Sequence, residues 1–168
     1  QCFITIIVSM KKYNLKIDYS NDILPIVSGK VFHVTPTSNM PSIKETGALI
    51  PNSHLLYHSE FGNTVNGFFR LKGCVSFFDY RCINTPHWEQ HAYKCFPTQI
   101  LNHNDSISIL FLNENEYDKL IPWTIWKKEK AWSERVVPWV ETGYKGNVPL
   151  INITQEIIVE YNISLNQE

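Results

Sequence analysis

The sequence predicts an α+β fold: a mostly antiparallel or mixed sheet carrying short helices. Three observations predict it. Short runs such as GCVSFFDY, SISILFL and IIVEY combine β-branched and aromatic residues in the way strands do. Helical patterns are brief and end at glycine or proline within a few residues. At 168 residues and 43% hydrophobic content, the chain reads as one domain with a real core.

The elements follow in order. The opening QCFITIIVS is apolar but too short to cross a bilayer, and it lacks the charged start of a secretory leader. Met10-Lys11-Lys12 looks like a native start, so residues 1–9 read as upstream or processed sequence, or as a strand at 4–8. Residues 14–18 alternate Leu15 and Ile17 with polar neighbours, as a strand does. Ser28-Gly29-Lys30 is a turn, and strand 30–35 runs up to Pro36. Ser38 or Asn39 caps a helix with Pro41 in its first turn, Ile43 and Ala48 on its apolar side and Gly47 as its stop. A short extended piece, 49–51, and a polar loop, 52–66, lead to strand 73–80. A short helix is expected over 86–93 and a buried strand over 106–112. An asparagine-capped helical turn follows over 113–120. Strand 133–140 carries Pro138 at an edge or bulge, 143–147 is a turn, 149–155 is a connection and 157–161 is the last strand.

Charge and cysteines narrow the function classes. The net charge of −1 gives no overall basic field to attract nucleic acid or a membrane. Lys127, Lys128 and Lys130 form a local basic run that Glu129 interrupts, and it reads as a solvated face. Cys2, Cys74, Cys82 and Cys95 read as free thiols in a reducing compartment, which points to the cytoplasm. No membrane partner is expected.

Chemistry-bearing residues gather in a few places. His33 and Thr35, two apart in a strand, put an imidazole and a hydroxyl on one face, fit to bind a polar ligand. The competing reading is a core histidine satisfied by a carbonyl. Cys82, His87, His91 and Cys95 approach zinc-ligand spacing but lack a CxxC pair, so no metal site is assigned. Glu134 and Glu141 bracket SERVVPWV, and a glutamate at a strand end can reach a cleft and offset developing positive charge. Trp123, Trp126, Trp132 and Trp139 crowd one segment, either as core or as a protein or single-strand nucleic-acid surface. No GxSxG, P-loop or GxGxxG occurs.

Three segments, read together, resemble the ADP-ribosyltransferase superfamily. VFHVTPTSNMPSIKETGALIP is similar to its opening histidine-x-threonine strand and helix. GCVSFFDYR is similar to its second core strand, and PWVETGYKGNVPLINITQEIIVEY to its closing glutamate strand. They occur in the family's order and span about 60 residues. The stretch from Asn39 to Ile43 also looks like bacterial toxin-type transferases, including those that modify DNA bases.

The resemblance implies a split mixed or antiparallel sheet with NAD in a cleft between the half-sheets. It implies NAD as substrate and a macromolecular acceptor, protein or nucleic acid, for a toxin or defence enzyme with an antitoxin or immunity partner. A non-catalytic nucleotide-binding module of the same fold is the alternative. His33 and Thr35 would hold ribose hydroxyls. One of Ser76, Phe77, Phe78 and Tyr80 would face the nicotinamide, and Arg70 or Arg81 would bind the pyrophosphate. A glutamate, Glu141 in preference to Glu134, would bind the ribose 2′-hydroxyl.

Overall fold

The computed structural model describes residues 10–56, 59–61 and 65–163. The strands are β1 (Lys11–Ile17), β2 (Val31–Pro36), β3 (Ala48–Leu49), β4 (Cys74–Asp79), β5 (Ile107–Leu112), β6 (Ile121–Pro122), β7 (Glu141–Lys145), β8 (Val148–Pro149) and β9 (Ile153–Tyr161). The α-helices are α1 (Leu24–Val27), α2 (Met40–Thr46), α3 (Phe68–Leu71), α4 (Pro86–Ala92) and α5 (Thr124–Lys128). Seven strands form one sheet in the order β1-β9-β5-β2-β4-β7-β6, and β3 pairs with β8 in a small second sheet. The large sheet is mixed: β1 runs parallel to β9, and its other pairs are antiparallel. The class is therefore α+β, as the residue pattern predicts. No helix among the described residues is long and apolar enough to cross a membrane.

Apolar residues cover both faces of this sheet. Phe32, Val34, Phe78, Ile107, Ile109 and Val159 belong to one cluster, together with Tyr80 and Trp88. Val31, Val75, Phe77, Leu110 and Leu112 belong to the other, under Met40 of α2. The alternation along β2, β4 and β5 assigns neighbouring residues to opposite faces. β5 is buried at all six positions, because it lies between β9 and β2 with cover on both sides.

One seam interrupts the pairing. β2 and β5 share five registered pairs, and so do β4 and β7. Between β2 and β4 only Val31↔Asp79 and Phe32↔Phe78 are in register. The Tyr80 amide donates to the Lys30 carbonyl at 2.9 Å, which sets the rung pattern. A continuous ladder would bond next at Val34 and Ser76, but that pairing is missing. The sheet thus opens into β1-β9-β5-β2 and β4-β7-β6, joined at one end of a central seam.

Several expectations are corrected. The span 133–140 is not a strand: Arg135 makes an isolated bridge to Gly67, and the rest is irregular or turn. Pro138 has no amide to give a ladder, and Trp139 sits at φ 68°. The Glu141 amide closes the turn by donating to the Val137 carbonyl at 3.0 Å. The strand begins only at Glu141 and includes Gly143, which composition marks as a turn residue. A Cβ at Gly143 would overlap the ring of fully buried Phe69, so the position is a packing contact. Residues 37–39 form a 3-10 turn instead of a side-chain cap. Ala48 belongs to β3, while Gly47 ends α2 at φ 77° as expected. α5 is an element the sequence reading lacks. The strand expected at 4–8 lies outside the described residues.

Candidate functional site

The center of the site is a hydrogen-bonded pair, Ser76 and Glu141. β4 and β7 run antiparallel with Ser76 opposite Gly143 and Phe78 opposite Glu141. Ser76 and Glu141 therefore project from the same face, one register step apart. The Ser76 hydroxyl donates to Glu141 Oε1 at 2.7 Å, and the Val137 amide donates to Oε2 at 2.9 Å. Each oxygen keeps a second lone pair for another donor. Burial pushes the Glu141 carboxyl above the usual carboxylate range, and the bonds from Ser76 and Val137 oppose that shift.

His33 joins this pair across the seam. Its Nδ1 lies 2.8 Å from the Ser76 carbonyl. A carbonyl only accepts, so Nδ1 carries the proton and Nε2 of the neutral ring is an acceptor. Among the described residues, Nε2 has no hydrogen bond. The imidazole thus takes the carbonyl that the missing Val34–Ser76 rung leaves over. Burial holds its pKa below the ordinary histidine value, and the Ser76 bond offsets only part of this. The ring stands 5.9 Å from Phe77, edge to face, on the sheet face opposite Glu141. His33 and Glu141 meet through the two ends of Ser76, its carbonyl and its hydroxyl.

The other sequence-predicted residues have different positions. Thr35 is buried, and its hydroxyl accepts from Asn39 at 3.0 Å, which fastens the turn before α2. Phe77 and Tyr80 are fully buried and Phe78 is nearly so; these three rings are core and offer no face for stacking. The Tyr80 hydroxyl donates to the Cys95 carbonyl at 2.8 Å. Arg81 forks onto Asp79 at 3.0 and 2.8 Å and lies over the Tyr117 ring at 4.9 Å. Asp79 raises the Arg81 pKa further. Arg70 donates to the Ser53 and Val65 carbonyls at 2.9 and 2.6 Å, so it ties these two residues to α3. Glu134 sits in the irregular segment before β7; its backbone carbonyl accepts the Trp126 indole at 2.9 Å. One of its carboxylate oxygens is buried without a hydrogen bond.

Two concavities lie elsewhere. One, of 280 Å³, is lined by Lys30, Asn113, Glu114 and Tyr117 among others. The second, of 380 Å³, lies between Thr37 and Ser106. Neither includes His33, Ser76 or Glu141. His87, His91 and Cys95 do not converge, since Cys95 is buried while both histidines are exposed or partly so. No group of three metal-ligating side chains occurs among the described residues. Cys74, Cys82 and Cys95 are free thiols.

The structure brings together His33, Ser76 and Glu141 and leaves Arg70, Arg81 and Glu134 apart from them. Sequence reasoning missed the Ser76–Glu141 bond because these residues are 65 positions apart. Comparison of the chain with protein-family models, with curated proteins and with solved structures finds no match in any of the three.

Proposed function

We propose that the chain is an NAD-dependent ADP-ribosyltransferase of the toxin or defence type, acting on a macromolecular acceptor. The observation that carries this reading is the Ser76–Glu141 hydrogen bond beside the seam that His33 bridges. A buried, doubly held carboxylate next to an opening between half-sheets supports the sheet and cleft that the family resemblance implies. In this reading NAD enters the seam between β2 and β4.

The chemistry follows from the groups present. The bond between ribose C1 and nicotinamide breaks, and its electron pair leaves with nicotinamide. The ribose acquires oxocarbenium character, as in glycoside hydrolysis. Glu141 accepts the ribose 2′-hydroxyl, and its negative charge offsets the positive charge as it develops. Ser76 fixes the carboxylate, and His33 Nε2 accepts a ribose hydroxyl. The acceptor's nucleophile then bonds to C1. Incubation with labelled NAD and a lysate should transfer label and release nicotinamide. Glu141→Gln should lower the rate by about 100-fold or more. A folded protein that neither transfers label nor frees nicotinamide would sink the proposal.

One observation favours a second reading, a nucleotide-binding module without chemistry. Both Glu141 oxygens are already engaged, and neither concavity reaches them. Calorimetry separates the two readings: the module binds NAD and releases no nicotinamide.

A further inference from the structure

We propose that Trp139, Trp123 and the lysines around α5 form a binding surface for single-stranded nucleic acid, with bases on the rings and phosphates on the ammonium groups. The proposal concerns binding alone and stands apart from the NAD chemistry.

An exposed aromatic column carries the first half. The His87 ring lies flat on Trp139, with centroids 4.9 Å apart and planes 11° apart. Trp123 packs against the same indole at 5.3 Å. Trp139 is 41% exposed, so this contact buries it only in part. Its backbone stands at φ 68°, a left-handed conformation that glycine adopts more freely than a bulky residue. His87 is exposed too, and its flat seating shows that the column takes a planar heteroaromatic ring.

Lysines carry the second half. Trp123 directly precedes α5, and Lys127 follows it by one helical turn on the same side. Lys128 is next to it, and both lysines are exposed. At the far end of α5, Lys72 pairs with Glu129, and the Lys145 ammonium donates to the Lys72 carbonyl at 2.5 Å. Lys127 and Lys128 thus stand exposed beside Trp123 on a chain whose net charge is −1. Trp132, 58% exposed and in the turn after α5, packs edge-on against Trp126 of that helix. Rings interleaved with lysines suit a single strand: unpaired bases offer their faces, and the backbone needs cations nearby. Protein interfaces are instead depleted of lysine at their core.

Anisotropy of a fluorescein-labelled single strand of about 16 nucleotides, titrated with the whole protein, tests the proposal. Saturable binding at low salt is expected, with quenching of tryptophan emission. Trp139→Gly keeps a backbone that glycine adopts freely, so it should fold; binding should weaken by about ten-fold or more. Lys127→Gln with Lys128→Gln should lower the slope of log affinity against log salt by about 1.4. Absence of binding would overturn the proposal. So would full affinity in a folded Trp139→Gly protein, or equal competition by a duplex of the same sequence or by poly-glutamate.

Discussion

Among the described residues, two donors reach the Glu141 carboxylate, the Ser76 hydroxyl and the Val137 amide. The Glu141 proton is held more tightly in the folded chain than in the unfolded one. The folded state loses stability as pH rises from the ordinary carboxylate range, about 4.3, through the raised value. Glu141→Gln removes that charge and keeps the shape. Thermal melts should show the variant gaining on the parent protein as pH rises from about 4 to neutrality. A gap independent of pH would mean that the carboxylate does not titrate in this window. His33 has the opposite sign. Its folded pKa is lowered, so its contribution is complete above about 6.5 and is lost as pH falls below that value. Asparagine at 33 can still donate to the Ser76 carbonyl but has no proton to bind. Urea midpoints should fall between about pH 7 and 5 in the parent protein and fall less in His33→Asn. Equal slopes would assign the pH dependence to other groups.

At the scale of elements, β7 depends on a missing side chain. Gly143 lies in mid-strand opposite Ser76, and the Phe69 ring of α3 fills the space where a Cβ would stand. Gly143→Ala should destabilise the fold by about 1–3 kcal/mol through overpacking, read as a lower urea midpoint at unchanged slope. Since Ser76 and Glu141 are held by this register, the proposed transferase activity should fall along with stability. An alanine variant as stable as the parent would show that Phe69 moves aside freely. This glycine also explains why β7 was hard to read. ETGYK has few strand-forming residues and a glycine at its center, whereas RVVPWV has the β-branched and aromatic content of a strand but folds as irregular chain and turn. β2, β4 and β5 were legible because their residue types and their burial agree. For His33 the competing reading, a histidine satisfied by a backbone carbonyl, is the one that its bond to Ser76 matches. The Ser76–Glu141 bond was not legible, because register between strands 65 positions apart is not written in either strand alone. The aromatic strand at Cys74–Asp79 was found, but periodicity could not tell that cover on both faces would enclose Phe77, Phe78 and, just beyond, Tyr80.

At the scale of the whole molecule, the seam between β2 and β4 divides the large sheet into two halves. Its two registered pairs join a four-stranded half to a three-stranded half, and the imidazole of His33 adds one further link. Side-chain packing also bridges the seam, since both large apolar clusters draw residues from the two halves and Phe32 packs on Phe78 and Tyr80, so a ligand there would add to links that few backbone bonds supply. If NAD binds there, it binds the folded chain alone and stabilises it by mass action. At a hundred-fold excess over its dissociation constant, that gain is about 2.7 kcal/mol, or a rise of roughly 5–10 °C in Tm for a chain of this size. Thermal melts with NAD, and separately with adenosine diphosphate ribose, measure it. Glu141→Gln should keep most of the shift with NAD, since it removes charge rather than the seam, while nicotinamide release stops. His33→Ala should lose much of the shift, because it removes both the link to Ser76 and the free Nε2 acceptor. Absence of any shift at millimolar NAD would mean that the folded chain does not bind NAD and would overturn the transferase reading, and a shift with adenosine diphosphate ribose but not NAD would favour the binding-module reading over the transferase.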